Sequence, residues 1–530
     1  MDKEMNEAQQ PEGQGGAGLL ATYRALNARW EALCGRYLKV ASMDSMWVYS
    51  RLSRRLDPEQ GWKLQLSATV LTAVEVLEAV APLLHSRGVL FKAPRSLKEL
   101  SKINSGIYYG YSQVGKFITV YPQTTEEAAR LARELHRRTR GIAAPSVPFN
   151  LKFRPDSRLY YRYGSFKALE LVNPDGSRTL ALRAPDEDLV PDVRDSEKAK
   201  PDWVPDLFPA RRARRETKVA DTPLKTTFRA FRALSQRGKG GVYQAFDVGA
   251  SPPRFCVLKE GRRNGETAWD GRDGYWRVEH EGRVLASLHD AGVAVPRVYS
   301  SFKAEKNFYL AMEFMEGETL DAWLGKRRRR IEVRRALSYG VRLATLISQI
   351  HDAGWVWRDC KPSNLMVTQA GVLRPIDFEG ACPVDCPDPM PWGTPSYTPP
   401  EWCDESRGRT RLPEDLYALG AVVYHLLTGS LPDSAPLLPV GKLRRNIPDG
   451  ACRVIEELLD ADPAQRPDAR GAALRLEAAL SSMTTQRTDG SRERKMRQSP
   501  SRPVRAFANL RLADSGFEIE TAGEVGVARV

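Results

Sequence analysis
The sequence predicts an α+β protein of two folded domains, on three observations: its length, a charged break near the middle, and apolar spacing of both helical and strand type on either side of that break. At 530 residues the chain exceeds what one hydrophobic core organises, and roughly 100–200 residues per domain implies two or three units. The break is APDEDLVPDVRDSEKAKPDWVPDLFPARRARRETK, charged and punctuated by proline, which reads as a linker over 186–225 that packs partly on its neighbours. Before it, LLATYRALNARWEALCGRYL carries helical apolar spacing and opens a domain over 18–185, behind a Gly/Gln/Glu-rich stretch, 1–17, expected to be disordered. After it, a second domain spans 226–483, and the polar, basic remainder, 484–530, reads as a tail. No repeat of 20 to 50 residues is visible.

With 42% hydrophobic and 28% charged residues, the composition is that of an ordinary globular protein. No apolar run is long enough to span a bilayer, and the polar start lacks the apolar segment of a signal peptide, so a cytoplasmic protein without membrane partners is expected. Seven cysteines, without paired C-x-x-C spacing, argue against a disulfide framework or a structural zinc site; Cys382 and Cys386 are the one pair close enough to suggest metal binding or redox sensing. The net charge of +14 suits nucleic acid, an anionic surface or an acidic peptide without choosing among them. The basic runs at 211–215 and 327–330 read as solvated faces, since no nucleic-acid-binding motif accompanies them.

The second domain carries the chemistry of phosphoryl transfer, which asks a protein to cradle phosphates, hold Mg²⁺ and place a carboxylate beside the attacking hydroxyl. In HDAGWVWRDCKPSNLMV, Asp359 is followed at +2 by Lys361 and at +5 by Asn364, so that one loop offers a base, a γ-phosphate contact and a metal ligand. In VLRPIDFEGA an apolar stretch delivers Asp377 as second metal ligand. Upstream, RFCVLKEG reads as a strand turning Lys259 toward the nucleotide, and VEHEGRVLASL as a helix whose Glu281, or alternatively Glu279, pairs with it. Downstream, GTPSYTPPEW places Thr394 near substrate and Glu401 in the scaffold, with Asp415 and Arg466 further supports. These signatures, in this order, predict a bilobal protein-kinase-like domain using ATP and Mg²⁺. In SQRGKGGVYQA the phosphate loop keeps Gly240, Gly241 and Val242 but not the full G-x-G-x-x-G-x-V pattern, and a hairpin turn that needs glycine explains it equally well. Arg358 calls for an anion from the activation segment, yet 378–393 contains no Ser, Thr or Tyr. Asp385 and Asp388 are the acidic substitutes, so activity without loop phosphorylation is expected.

The first domain, read from spacing alone, is an α+β unit with clusters of Lys and Arg. Its fragments GWKLQLSAT, VLFKAPRSLKELSKINSG, SQVGKFITVYP and FRPDSRLYYRYGSF, followed by the kinase, resemble in order the first two domains of class III and class IV lanthipeptide synthetases, over roughly 45–480. The resemblance implies a phosphothreonine-lyase-like N-terminal domain. Such enzymes phosphorylate Ser and Thr of a ribosomally made precursor peptide, eliminate phosphate to give dehydroamino acids, and close rings in a zinc-dependent cyclase domain. Nothing after Met483 resembles that cyclase, so cyclisation is expected to need a separate enzyme. By the same resemblance Lys92 is the base that removes the Cα proton, Lys63, Lys116 and Arg162 are anion-binding, and Arg154 is a further candidate. Neighbouring cations depress a lysine pKa by disfavouring its ammonium, so a crowded cationic pocket suits a lysine base.

One departure matters: the family's Lys-x-His reads Lys63-Leu64-Gln65, an amide where the general acid belongs. An amide donates a hydrogen bond but transfers no proton. His85 and His136 are the nearest histidines and read as ordinary helix or surface residues; Tyr160, Tyr161 and Tyr163 read as packing residues, and Lys63 and Lys116 lie in strand-like text. Two functions remain open: a peptide-modifying kinase whose N-terminal domain binds or eliminates phosphate, its substrate a precursor peptide with an acidic leader, or a regulatory Ser/Thr kinase whose N-terminal domain reads phosphopeptides. A non-catalytic scaffold is a third.

Overall fold
The computed structural model describes residues 16–496 apart from 42–44, 168, 193–198, 209–221, 327–329, 387, 389–391, 404–411 and 433–436. Of the expected disordered start, 1–15 lie outside the described residues, as do the basic run at 211–215 and most of the tail, whereas Gly16 and Ala17 are not disordered but open the first helix.

The N-terminal domain is built on a seven-stranded antiparallel sheet, order β1-β2-β4-β5-β3-β7-β6. Its strands are β1 (Val40–Ala41), β2 (Trp47–Tyr49), β3 (Gln60–Leu66), β4 (Leu90–Pro94), β5 (Ile118–Tyr121), β6 (Leu151–Lys152) and β7 (Leu159–Ser165). Helices α1 (Gly16–Tyr37), α2 (Ala73–Ser86) and α4 (Thr125–Thr139) contribute apolar residues to the core that covers one sheet face. Helix α2 does so because AVEVLEAVAPLLHS repeats apolar residues at helical spacing, burying Val76, Leu77, Val80 and Leu84 among others. Alternation along the strands sends Leu64, Phe91, Val120 and Tyr161 into the same core. Helix α3 (Leu97–Ser105) starts where the Ser96 hydroxyl accepts the amide of Glu99 and stops at Gly106, whose φ of +72° favours glycine.

Part of the expected linker is structural. Its strand β10 (Leu189–Pro191) completes a three-stranded sheet with β8 (Glu170–Val172) and β9 (Arg178–Arg183), and Val204 and Leu207 enter the N-terminal core.

The second domain opens with a five-stranded antiparallel sheet, order β11-β12-β13-β15-β14. Its strands are β11 (Phe228–Gln236), β12 (Gly240–Asp247), β13 (Arg254–Gly261), β14 (Val298–Ala304) and β15 (Asn307–Glu313). Helix α5 (Gly274–Asp290), capped by Asp273 accepting the amide of Trp276, packs on β13 and β15. A helical lobe follows, centred on α6 (Val333–Asp352) against α7 (Leu412–Thr428). Together with the N-terminal domain it forms one compact unit ending at Leu480. The last helix, Ala469–Met496, runs beyond the expected domain end at 483.

Candidate active sites
Between the sheet and the helical lobe lies a cleft of about 460 Å³ lined by Val242, Val257, Met312, Met315, Met366 and Ile376 at apolar positions and by Lys239, Lys259, Glu281, Lys361, Asn364, Asp377 and Glu379 at charged or polar ones. Strand alternation points Val257 and Lys259 of β13 into it together. Lys259 Nζ donates to both carboxylate oxygens of Glu281 on α5, at 2.7 and 2.8 Å, and to Asp377 at 3.1 Å. Burial pulls the Lys259 pKa down, but Asp377, Glu281 and Glu379 outweigh it and hold the ammonium above its ordinary value. Burial likewise raises the Asp377 carboxyl, yet Lys259, Lys239 and Lys361 keep it well below the usual range, hence ionised.

The catalytic loop gathers Asp359, Lys361, Asn364 and Thr394. Lys361 Nζ donates to Asp359 Oδ2 at 2.7 Å and to the Thr394 hydroxyl at 2.6 Å. That hydroxyl donates to Asp359 Oδ1 at 3.0 Å, and Asn364 Nδ2 reaches Asp359 Oδ2 at 2.9 Å. Burial, with Asp377 adding to it, raises the Asp359 pKa despite Lys361 and Thr394. Arg358 and Asp377 both take positive φ, +70° and +66°, a costly backbone for residues with side chains. Their surroundings enforce it: Asp415, fully buried, accepts the amides of Trp357 and Arg358, and Trp357 stacks on Phe378 while its indole N–H reaches the carbonyl of Asp377.

Two side chains here went unnoticed in the sequence. Glu379 stands where the kinase D-F-G signature has glycine, a departure visible in the text DFEG. It pairs with Lys239 of the phosphate loop, whose ammonium is raised by Glu379 and Asp377 against the effect of burial. The phosphate loop thus carries its own cation beside Gly240, Gly241 and Val242. Between the two candidate partners for Lys259, Glu281 is the one in contact; Glu279 makes no such bond.

These residues fit ATP and Mg²⁺: an apolar wall for the base, Lys259 held by a buried glutamate, and an ionised Asp377 with Asn364 as oxygen ligands. Mg²⁺ usually takes one or two protein ligands and leaves the rest to phosphate and water. No group of three His, Cys, Asp or Glu side chains that could cage a metal occurs among the described residues; Cys382 is buried and Cys386 exposed.

On the N-terminal sheet, register assembles a second cluster. Tyr49 pairs with Lys92, Lys92 with Thr119, Thr119 with Gln65 and Gln65 with Tyr160, while Lys63 pairs with Arg162. Directly opposed residues share a face, so Lys92, Gln65, Lys63 and Arg162 stand together opposite the apolar core. Lys92 Nζ lies 4.4 Å from the Trp47 ring centre and 5.6 Å from that of Tyr49. Arg162 is buried and ion-paired at 2.5 Å with Asp192, which comes from the linker. Lys116 is buried in the loop before β5 rather than in a strand, and Arg154 is exposed. Gln65 contacts the Asn150 amide. His136 is buried on α4, hydrogen-bonded to Ser157 and packed on Phe153 of the core, and His85 lies at the exposed end of α2, so neither is on this face. Of the three tyrosines, Tyr161 is in the core and Tyr163 packs on Trp62, whereas Tyr160 shares the face of Gln65.

The fold and cleft are those of a protein kinase domain, and the family match and Ser/Thr kinase relatives support the ATP-dependent Ser/Thr class. Residues 238–474 match the protein kinase domain family and residues 38–220 match the RamC N-terminal domain family. The chain is 31% identical over 352 residues to a probable SapB synthase of Streptomyces coelicolor, covering 64% of this chain and 37% of that protein. It is 30% identical over 208 residues to a probable serine/threonine-protein kinase of Clostridium perfringens (36% of this chain, 30% of that protein) and 32% over 208 residues to the serine/threonine-protein kinase PknA of Mycobacterium tuberculosis (36% and 47%). The chain thus spans less than half the length of each. It joins a region matching the RamC N-terminal domain family to a protein kinase domain, an arrangement similar to that of the probable SapB synthase. No helix among the described residues is long and apolar enough to cross a membrane.

Proposed function
We propose that this protein phosphorylates Ser or Thr of a ribosomally made precursor peptide and that its N-terminal domain binds, or eliminates, the phosphate so installed. The observation that carries this reading is the pairing, in one chain, of the assembled Asp359–Lys361–Thr394 constellation with the sheet face that presents Lys92, Lys63 and Gln65. ATP supplies the phosphoryl group. Asp359 accepts the proton of the peptide hydroxyl, Lys361 offsets charge that develops beside it, Lys259 holds phosphate oxygens in place, and Asn364 and Asp377 are the Mg²⁺ ligands. The basic chain suits an acidic leader, in the cytoplasm and with neither nucleic acid nor membrane as partner. Separate lyase or cyclase enzymes complete whatever this chain leaves undone.

The second reading, a regulatory Ser/Thr kinase with a phosphopeptide-reading N-terminal domain, draws on Gln65 in the general-acid position and on the Arg162–Asp192 pair. Intact mass of the peptide encoded beside this gene, incubated with protein, ATP and Mg²⁺, separates the two, with Asp359→Asn as control. Loss of water per site supports dehydration; phosphopeptide that accumulates and persists supports the second reading; an unmodified peptide sinks the first.

A further inference from the structure
The glycine-rich loop of the kinase domain is fastened to the N-terminal domain. The amide of Gly238, in the turn between β11 and β12, donates to the carbonyl of Ser105, the last residue of α3, at 2.9 Å. The two backbones are so close that a Cβ on Gly238 would overlap the carbonyl oxygen of Asn104. Glycine is needed here for approach rather than for turning. A second tie comes through Arg262, whose amide donates to Lys239 O at 2.8 Å and whose guanidinium donates to Arg237 O at 3.0 Å. That guanidinium lies 5.1 Å from the ring centre of Tyr111, in the N-terminal domain.

The anchor itself is firm. Asn104 is buried, its Nδ2 donating to Ala68 O at 3.0 Å and its Oδ1 accepting the Gly115 amide at 3.2 Å. A loop rich in glycine has much conformational freedom to lose, and ordering it in advance removes that cost from ligand binding. The residue next to the fastened Gly238 is Lys239, which reaches the phosphate end of the cleft to meet Glu379 beside Asp377.

We propose that the N-terminal domain acts in cis as a brace for the phosphate loop, fixing it and Lys239 over the phosphates of ATP. This task is separate from phosphate elimination and rests on the kinase reading above. It also accounts for a phosphate loop that lacks the full glycine pattern: contacts from another domain supply the order.

The test uses the full chain and the variants Asn104→Ala and Tyr111→Ala, neither of which lies in the nucleotide cleft. Calorimetry with Mg²⁺ and ATP, and separately with adenosine, reads phosphate and base binding apart. The brace requires ATP affinity to fall about tenfold in both variants, with adenosine affinity unchanged. Equal ATP affinity in wild type and variants overturns it, as does parallel weakening of ATP and adenosine, which marks a general loss of fold. Should Asn104→Ala fail to fold, Tyr111→Ala decides alone. A wild-type chain that binds no ATP sinks the kinase reading, and the brace with it.

Discussion

The carboxylate of Asp388 bonds Arg358 Nη1 at 3.1 Å, giving the arginine beside Asp359 a carboxylate partner from the segment 378–393. Arg272, just before α5, donates to both oxygens of the same carboxylate, at 2.6 and 3.0 Å. Asp388 therefore joins the loop of Asp359 to the lobe that carries Glu281, whereas Asp385, the other candidate substitute, is exposed.

Phosphatase treatment should leave the wild-type kinase rate unchanged, because the bridging charge is a carboxylate. Asp388→Ala removes charge-assisted bonds worth about 1.5–3 kcal/mol each, so kcat should fall tenfold or more. Steady-state assays before and after phosphatase check both; a phosphatase-sensitive wild type contradicts the arrangement.

Asp359 must be ionised to take a proton, and burial raises its pKa. The acid limb of the kcat/KM profile should therefore lie above the ordinary aspartate value of about 3.9, with activity full above the raised pKa and lost as pH falls through it. Asp359→Asn should lower kcat by about 10²–10⁴ while ATP still binds. A limb at or below the ordinary value counts against Asp359 as the base.

Arg466 and Glu401 form a buried bidentate pair, both contacts at 2.7 Å. Removing one partner strands a buried charge, so Arg466→Ala should cost about 3–5 kcal/mol of stability, read as a lowered denaturation midpoint. A shift within error would mean that water reaches Glu401.

In the N-terminal domain, Gln65 lies two residues from Lys63 on the face that also bears Lys92. Gln65→His would add a proton donor, and general acid help is typically worth about 10²–10⁴ in rate. Conversion of a synthetic phosphopeptide to its dehydrated form, followed by mass, should accelerate accordingly, and Lys92→Ala should abolish it. No gain in Gln65→His would mean that proton donation does not limit elimination.

Much of the kinase cleft was legible because its parts are local. Asp359, Lys361 and Asn364 sit on one short loop, so spacing alone implies their convergence, and alternation in RFCVLKEG orients Lys259. Glu379 was also legible as a departure in DFEG, but its meaning was not: its partner, Lys239, lies 140 residues away. The cationic face of the N-terminal sheet followed from resemblance, since period-two alternation says that Lys63 and Gln65 share a face but not which strands lie beside them.

The sequence by itself carried the order of the kinase-cleft elements and the amide at Gln65 where the family resemblance expects a histidine. Only the tertiary structure decided which partner each charge has. Glu279 and Glu281 are some 200° apart around their helix, so the roll of α5 on the sheet selects Glu281. Arg162 meets Asp192 because the linker folds back, and Gly238 meets Ser105 because two domains pack. Local spacing encodes residues that one loop or strand carries; contacts between distant segments depend on how the cores pack, which no local pattern states.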